Sequence, residues 1–222
     1  MDLFVQTLIN GVLVGGILIA IAAGFSISFG VMDIIDFAVG EWIMLGAFIG
    51  YWLHYYTKVD PLWLLPVVFF IFFIVGYLFQ PVLYKIVSSR HSRAALMGLA
   101  FTFGMSTFFR GLALTLWGFN NRSMTTVLSD QGLSILGLTV PALRAASSLF
   151  AIFVTVVFVL LLNKTRIGIA VRAVAQNKPA AGLMGVNAQK VGALVYGVYS
   201  GLTGISGVLV GSIFSINPEM GG

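Results

Sequence analysis

Hydrophobic and polar positions alternate on a long scale in this chain, in apolar runs far longer than one face of a globular helix. Between Asp2 and Asp33 lie 30 residues without a formal charge, and similar gaps run from Asp60 to Lys85 (24), Arg144 to Lys164 (19) and Lys190 to Glu219 (28). Each reaches the roughly 18–20 apolar residues that cross about 30 Å of hydrocarbon at about 1.5 Å per residue. Two further stretches, roughly 37–56 and 94–117, are as hydrophobic but carry Glu41 and Arg110. The pattern predicts six transmembrane helices at about 3–30, 37–56, 61–84, 94–117, 145–163 and 190–215. Barrel strands would be about 9–11 residues long with polar alternation, and these runs are neither. The expected fold class is an all-α polytopic integral membrane protein, with 1–222 as one transmembrane domain. The first run lacks a basic leading segment and is too long for a signal peptide.

Composition sharpens this. The 222 residues are 59% hydrophobic and 9% charged, with 19 Phe and no Cys. About 25% charge is usual in a soluble domain, so a water-facing shell cannot be built, and disorder and a disulfide scaffold are both excluded.

The net charge of +5 is concentrated in two places, which points away from nucleic acid. Segment 85–93 holds Lys85, Arg90 and Arg93, and segment 164–190 holds Lys164, Arg166, Arg172, Lys178 and Lys190, neither with an acid. Two spans separate them, so they share a side, which the positive-inside rule makes cytoplasmic. The connections at 57–60 and 118–144, and the N-terminus, then face outward. Segment 31–36, with two acids and no base, conflicts with this unless a helix is broken or re-entrant near Gly30. Tyr51, Trp52, Tyr55, Tyr56 and Trp63 fit a headgroup belt around the outer turn, or are simply bulky membrane residues. Asp60-Pro61 reads as a helix cap followed by Pro in the first turn.

Glycines recur four apart at 11/15, 46/50, 197/201 and 207/211. Small residues on one stripe let helix backbones approach in lipid. Gly197, Gly201 and Gly204 therefore serve tight packing within the bundle, or a face against a second subunit or along a substrate path. Charge inside a membrane costs about 2.5–3.5 kcal/mol near the centre. Glu41 and Arg110 either stay near the interfaces, Arg110 snorkelling outward, or line a polar path or meet a neighbouring subunit.

No enzyme is legible. His54 and His91 have no partner at metal or dyad spacing, and neither HExxH, GxSxG nor a phosphate loop occurs. No catalytic or metal residue and no bound cofactor is expected, so energy comes from a partner or an ion gradient.

Segment 165–190 carries helix punctuation. Ile167, Val171 and Val174 share a face opposite Arg172 and Gln176, Pro179 suits a first turn, Gly185 a helix end, and Asn187 a cap for the last span. Two short helices joined by a turn make a rigid projection that another protein can grip; the alternative is a merely positive-inside anchor.

At this loop the sequence resembles the permease subunits of bacterial ABC importers for branched-chain amino acids and their urea and amide relatives. The pattern is Thr165, Gly168, Arg172-Ala173, Asn177, Ala180-Ala181, Leu183, Gly185 and Asn187, with a second match in Phe29–Met32, Asp36–Glu41 and Met44–Ala47. Asp36 stands where the family usually carries Asn, Val39 where it often carries His, and Gln176 at an often acidic position. The family continues through further spans beyond the glycine-rich helix, so the resemblance implies that a chain ending at Gly222 is a truncated permease bundle. It also implies a multi-pass subunit of the bacterial inner membrane, paired with a second, homologous permease, two cytoplasmic ABC ATPases that use the ATP, and an outer substrate-binding protein. Segment 164–190 would be the coupling loop, with Gly168, Arg172, Ala173, Asn177, Ala181, Gly185 and Asn187 as its residues. A stand-alone secondary transporter or channel is the other reading, and it would need intramembrane carboxylates such as Glu41, Asp33 or Asp36.

Overall fold

A computed structural model of the protein describes residues 2–87, 94–129, 132–135 and 138–221. Its helices are α1 (Asp2–Met32), α2 (Val39–Thr57), α3 (Pro61–Val87), α4 (Ala94–Trp117), α5 (Ala142–Lys164), α6 (Arg166–Gln176), α7 (Lys178–Leu183) and α8 (Ala188–Ile213). The six predicted spans are all present as helices, with ends shifted by a few residues. A short antiparallel hairpin, β1 (Gly132–Ile135) and β2 (Leu138–Pro141), was not predicted. Arg90, His91 and Arg93, counted in the first basic loop, lie outside the described residues.

Five helices, α1, α3, α4, α5 and α8, are long and apolar enough to cross a membrane. α2 falls short because its 19 residues include Glu41, His54, two Trp and three Tyr. It packs inside the bundle, against α8, α3 and α4. α8 is the central helix: 83% of its most apolar stretch is buried, against 17% for α4. It packs on α3, α2 and α1, and α1 also packs on α5.

Glycines explain how α8 holds so many neighbours. A methyl group on Gly207 would strike the Ile43 carbonyl, one on Gly46 would stand 2.5 Å from the Gly204 carbonyl, and one on Gly50 2.7 Å from Val208. α2 and α8 thus meet backbone to backbone, the contact that small residues permit in lipid. Gly11 and Gly15, at the same spacing, have nothing within 4 Å among the described residues. Around this contact Trp42 meets Phe72, Phe79, Phe109 and Tyr196 edge-on, with centroids 5.3–6.5 Å apart, a geometry that aligns ring edges with ring faces.

The turn at 57–60 is tied as its residues suggested. Asp60 accepts the Leu62 N–H through Oδ1 (2.9 Å), capping α3, and the Val127 N–H through Oδ2 (2.9 Å). His54 donates to the Val59 carbonyl (2.7 Å). Arg122 lies over the rings of Tyr51 and Trp52 at 5.2 and 5.0 Å and pairs its backbone with Ile216.

The break between the first two helices falls at Asp33, not near Gly30. α1 runs unbroken to Met32, and Asp33 takes a left-handed φ of 57°. From Met32 to Ala38 burial alternates residue by residue, the period of extended chain: Met32, Ile34, Asp36 and Ala38 inward, Asp33, Ile35 and Phe37 outward.

Candidate functional site

The extended link is inset in the bundle. Thr102 donates to the Ile35 carbonyl (3.1 Å) and accepts the Phe37 N–H (3.3 Å). Asp36 accepts the Ala38 N–H through Oδ1 (2.9 Å) and the Tyr196 hydroxyl through Oδ2 (2.9 Å). Thr102 and Tyr196 each lie eight residues into their helices, α4 and α8. Both helices start at the end that carries the basic loops, so the link lies about 12 Å inward at about 1.5 Å per residue. Non-helical backbone at such depth persists only where protein satisfies it, and here side chains from two helices do so. This removes the conflict between two acids and the positive-inside pattern: Asp36 is held internally, and Asp33 pairs with Lys178 Nζ at 2.8 Å.

Beyond the link, the first turn of α2 presents Glu41 to α4. Its Oε1 receives Arg110 Nη2 (3.1 Å), Arg110 Nε (3.2 Å) and the Ser106 hydroxyl (3.2 Å). The Glu41 side chain is 1% exposed and that of Arg110 39%. Glu41 Oε2 has no hydrogen-bond partner among the described residues. It lies beside Gly221, where an added methyl would stand 2.8 Å away. The two charges therefore pair within one chain, through Oε1. Arg110 does not snorkel outward alone; its partner lies on the inner helix, and its open flank faces out beside Thr107 and Gly111, which are exposed on α4. The carboxylate also sits in the first turn of its helix, where the backbone dipole favours negative charge.

The glycines singled out with this pair lie elsewhere. Gly197, Gly201 and Gly204 are filled by α3: added methyl groups would meet the Phe73 carbonyl at 2.9 Å, the Phe69 ring at 2.7 Å and the Phe72 ring at 2.7 Å. Their immediate neighbours are those of α3, the close packing within the bundle that was one of the two readings of this stripe.

The third feature is the elbow of α6 and α7. Thr165 caps α6 by accepting the Gly168 N–H (3.1 Å), Asn177 caps α7 through Ala180 (3.0 Å), and Asn187 caps α8 through Lys190 (3.0 Å). α7 closes with the Val186 N–H on the Ala181 carbonyl and the Gly185 N–H on the Gly182 carbonyl, both 3.0 Å. That pair of bonds needs a left-handed residue after the helix, and Gly185 supplies φ 85°. Gly168, Val171, Val174 and Ala181 are buried, Ala173 is half-buried, and Asn177, Gly185 and Asn187 are exposed. Ile167 is exposed although it lines the same apolar cavity as Val171, so burial on that face of α6 begins after its first turn. Arg172 Nη1 donates to the Leu162 carbonyl and to Asn163 Oδ1 (3.2 Å), closing the end of α5. At the tip Leu183 and Met184 are 89% and 85% exposed.

Sequence reasoning missed Tyr196, Thr102 and Lys178 as partners of the link. The signal for Glu41–Arg110 was present: two opposite charges, each alone in a neighbouring apolar run. No group of three or more His, Cys, Asp or Glu that could hold a metal occurs among the described residues.

A bundle around a glycine-lined central helix, with five helices long and apolar enough to cross a membrane, defines a multi-pass membrane protein. The family described as "Branched-chain amino acid transport system / permease component" matches residues 7–221, so the chain belongs to that family, one of transport permeases rather than enzymes. It is similar to the high-affinity branched-chain amino acid transport system permease protein LivH of Salmonella typhimurium (strain LT2), at 28% identity over 98% of this chain and 74% of that protein. The same figures hold for LivH of Escherichia coli (strain K12). The corresponding permease protein BraD of Pseudomonas aeruginosa is 26% identical over 98% of this chain and 74% of its own length. No solved structure matches the chain.

Proposed function

We propose that the chain is the translocating permease subunit of an ABC importer for branched-chain amino acids or related small polar solutes, set in the bacterial inner membrane with its N-terminus outside. The observation that carries this is the match of nearly the whole chain to the permease family, joined to a cytoplasmic elbow that ends in exposed Leu183 and Met184. Two bare apolar side chains on a capped tip suit the groove of a partner better than water. A second permease, two ATPases and an outer binding protein complete the assembly, and ATP is bound by the ATPases.

The elbow is fixed at both ends. Arg172 holds α6 to the end of α5, and Lys178 holds α7 to Asp33 at the start of the extended link. Movement of the elbow by the closing ATPases is thereby passed to the link, and from the link to Asp36 and the adjoining Glu41–Arg110 pair. This is a two-state element biased from one side by differential binding. The half-open flank of Arg110, on the least buried helix, is the side that meets the second permease and borders the solute path.

Reconstitution of the chain with its second permease, ATPases and binding protein tests the reading. The expected result is leucine uptake that needs ATP and the binding protein. Leucine flux through the chain with no ATPase present overturns it in favour of a stand-alone transporter.

A further inference from the structure

The end of the bundle that carries the basic loops contains a cavity of about 190 Å³ that the charge pair does not touch. It lies below the link, between the ends of α1 and α3 and the starts of α7 and α8. Its lining includes Val31, Met32, Ile34, Gln80, Tyr84 and Lys178. Gln80 is 0% exposed, and neither its amide oxygen nor its amide nitrogen has a hydrogen-bond partner among the described residues. A buried amide left so bears its whole desolvation penalty, which a packed Leu or Met would avoid. Gly192 leaves room for it: a methyl there would stand 2.7 Å from Gln80 Nε2. At the rim, Lys178 Nζ and the Asp33 carboxylate are 2.8 Å apart and partly in water.

We propose that this cavity is a binding site for a small zwitterion of the α-amino acid class, occupied when the bundle is open toward the cytoplasm. The chemistry is paired on both sides. Lys178 meets a carboxylate, Asp33 an ammonium, and the Gln80 amide donates to the one while its carbonyl accepts from the other. Val31, Met32 and Ile34 offer the apolar wall that an aliphatic side chain needs. The volume is below the roughly 300–1,000 Å³ of pockets for drug-sized ligands and suits a solute of a few heavy atoms. Binding would trade the Lys178–Asp33 contact for contacts with the solute, so occupancy would also loosen the tie between elbow and link. The inference rests on the permease reading above and adds where the solute pauses before release.

The test uses the assembled transporter in nanodiscs, without nucleotide or binding protein, and measures equilibrium binding of radiolabelled leucine. Wild type should bind saturably, and Gln80→Met and Lys178→Met should each weaken binding about tenfold or more, as loss of a hydrogen bond to a charged group does. Gln80→Met removes an unpartnered polar group, so its membrane level and unfolding temperature should equal or exceed those of wild type. Lys178→Met, a change at the rim, supplies the answer if Gln80→Met does not assemble. Wild-type affinity in the variants, or no saturable binding by a wild type that imports leucine with ATP, overturns the cavity assignment alone and leaves a water-filled pocket. A wild type that imports no leucine at all overturns the permease reading of its substrate and this inference together.

Discussion

Removing either member of the Glu41–Arg110 pair should harm the protein unequally. Arg110→Met strands Glu41, 1% exposed, whose remaining hydrogen bond among the described residues is from the Ser106 hydroxyl to Oε1. Breaking a buried pair in this way costs about 3–5 kcal/mol. Glu41→Met strands Arg110 instead, but its side chain is already 39% exposed and can swing its head outward, so the cost falls to about 1–2 kcal/mol. The double variant replaces both charges with apolar volume and should lose about 1 kcal/mol or less, which makes the coupling between the two positions roughly 3 kcal/mol or more. Reversible unfolding of the four proteins in mixed micelles measures the cycle. Equal single losses that add in the double variant would refute the pairing.

Gly207→Val should lower folded yield sharply, since the new side chain meets the Ile43 carbonyl and the Ala47 amide nitrogen at 2.9 Å, both backbone; overpacking of this kind costs about 1–3 kcal/mol or more. Gly11→Val, with nothing within 4 Å among the described residues, should leave stability within about 0.5 kcal/mol of wild type by the same unfolding assay. Gly185→Ala places a Cβ at φ 85°, a strain of about 1–2 kcal/mol on the elbow; ATP-driven uptake should fall while membrane level holds. Asn187→Ala removes the cap on Lys190 and should cost about 1 kcal/mol in unfolding free energy.

The spans were legible because the bilayer imposes one length on every crossing helix, and runs free of charge such as 61–84 announce it. The caps were legible for a similar reason: Asp60, Asn187 and Gly185 act on backbone within four residues, so spacing carries the information. The true end of the first helix was not. Asp33 takes its left-handed turn because the link must reach Thr102 and Tyr196, 69 and 163 residues away in sequence, and no local pattern encodes that. The interior place of α2 was not legible from its apolarity, although its Tyr, Trp and Glu41 suit a helix packed on α8. The glycines of α8 advertised close approach but not the partner, which proved to be α3 and α2 of the same chain.

The central claim is that the 165–190 elbow is a cytoplasmic handle gripped by an ATPase. The chain has no cysteine, so Leu183→Cys places a single thiol on the exposed tip. In the assembled transporter that thiol should react with an impermeant maleimide from the cytoplasmic face only, crosslink to the ATPase, and change its crosslinking yield when ATP is added. Labelling from the outer face, or a thiol that the ATPase neither shields nor captures, would contradict the account.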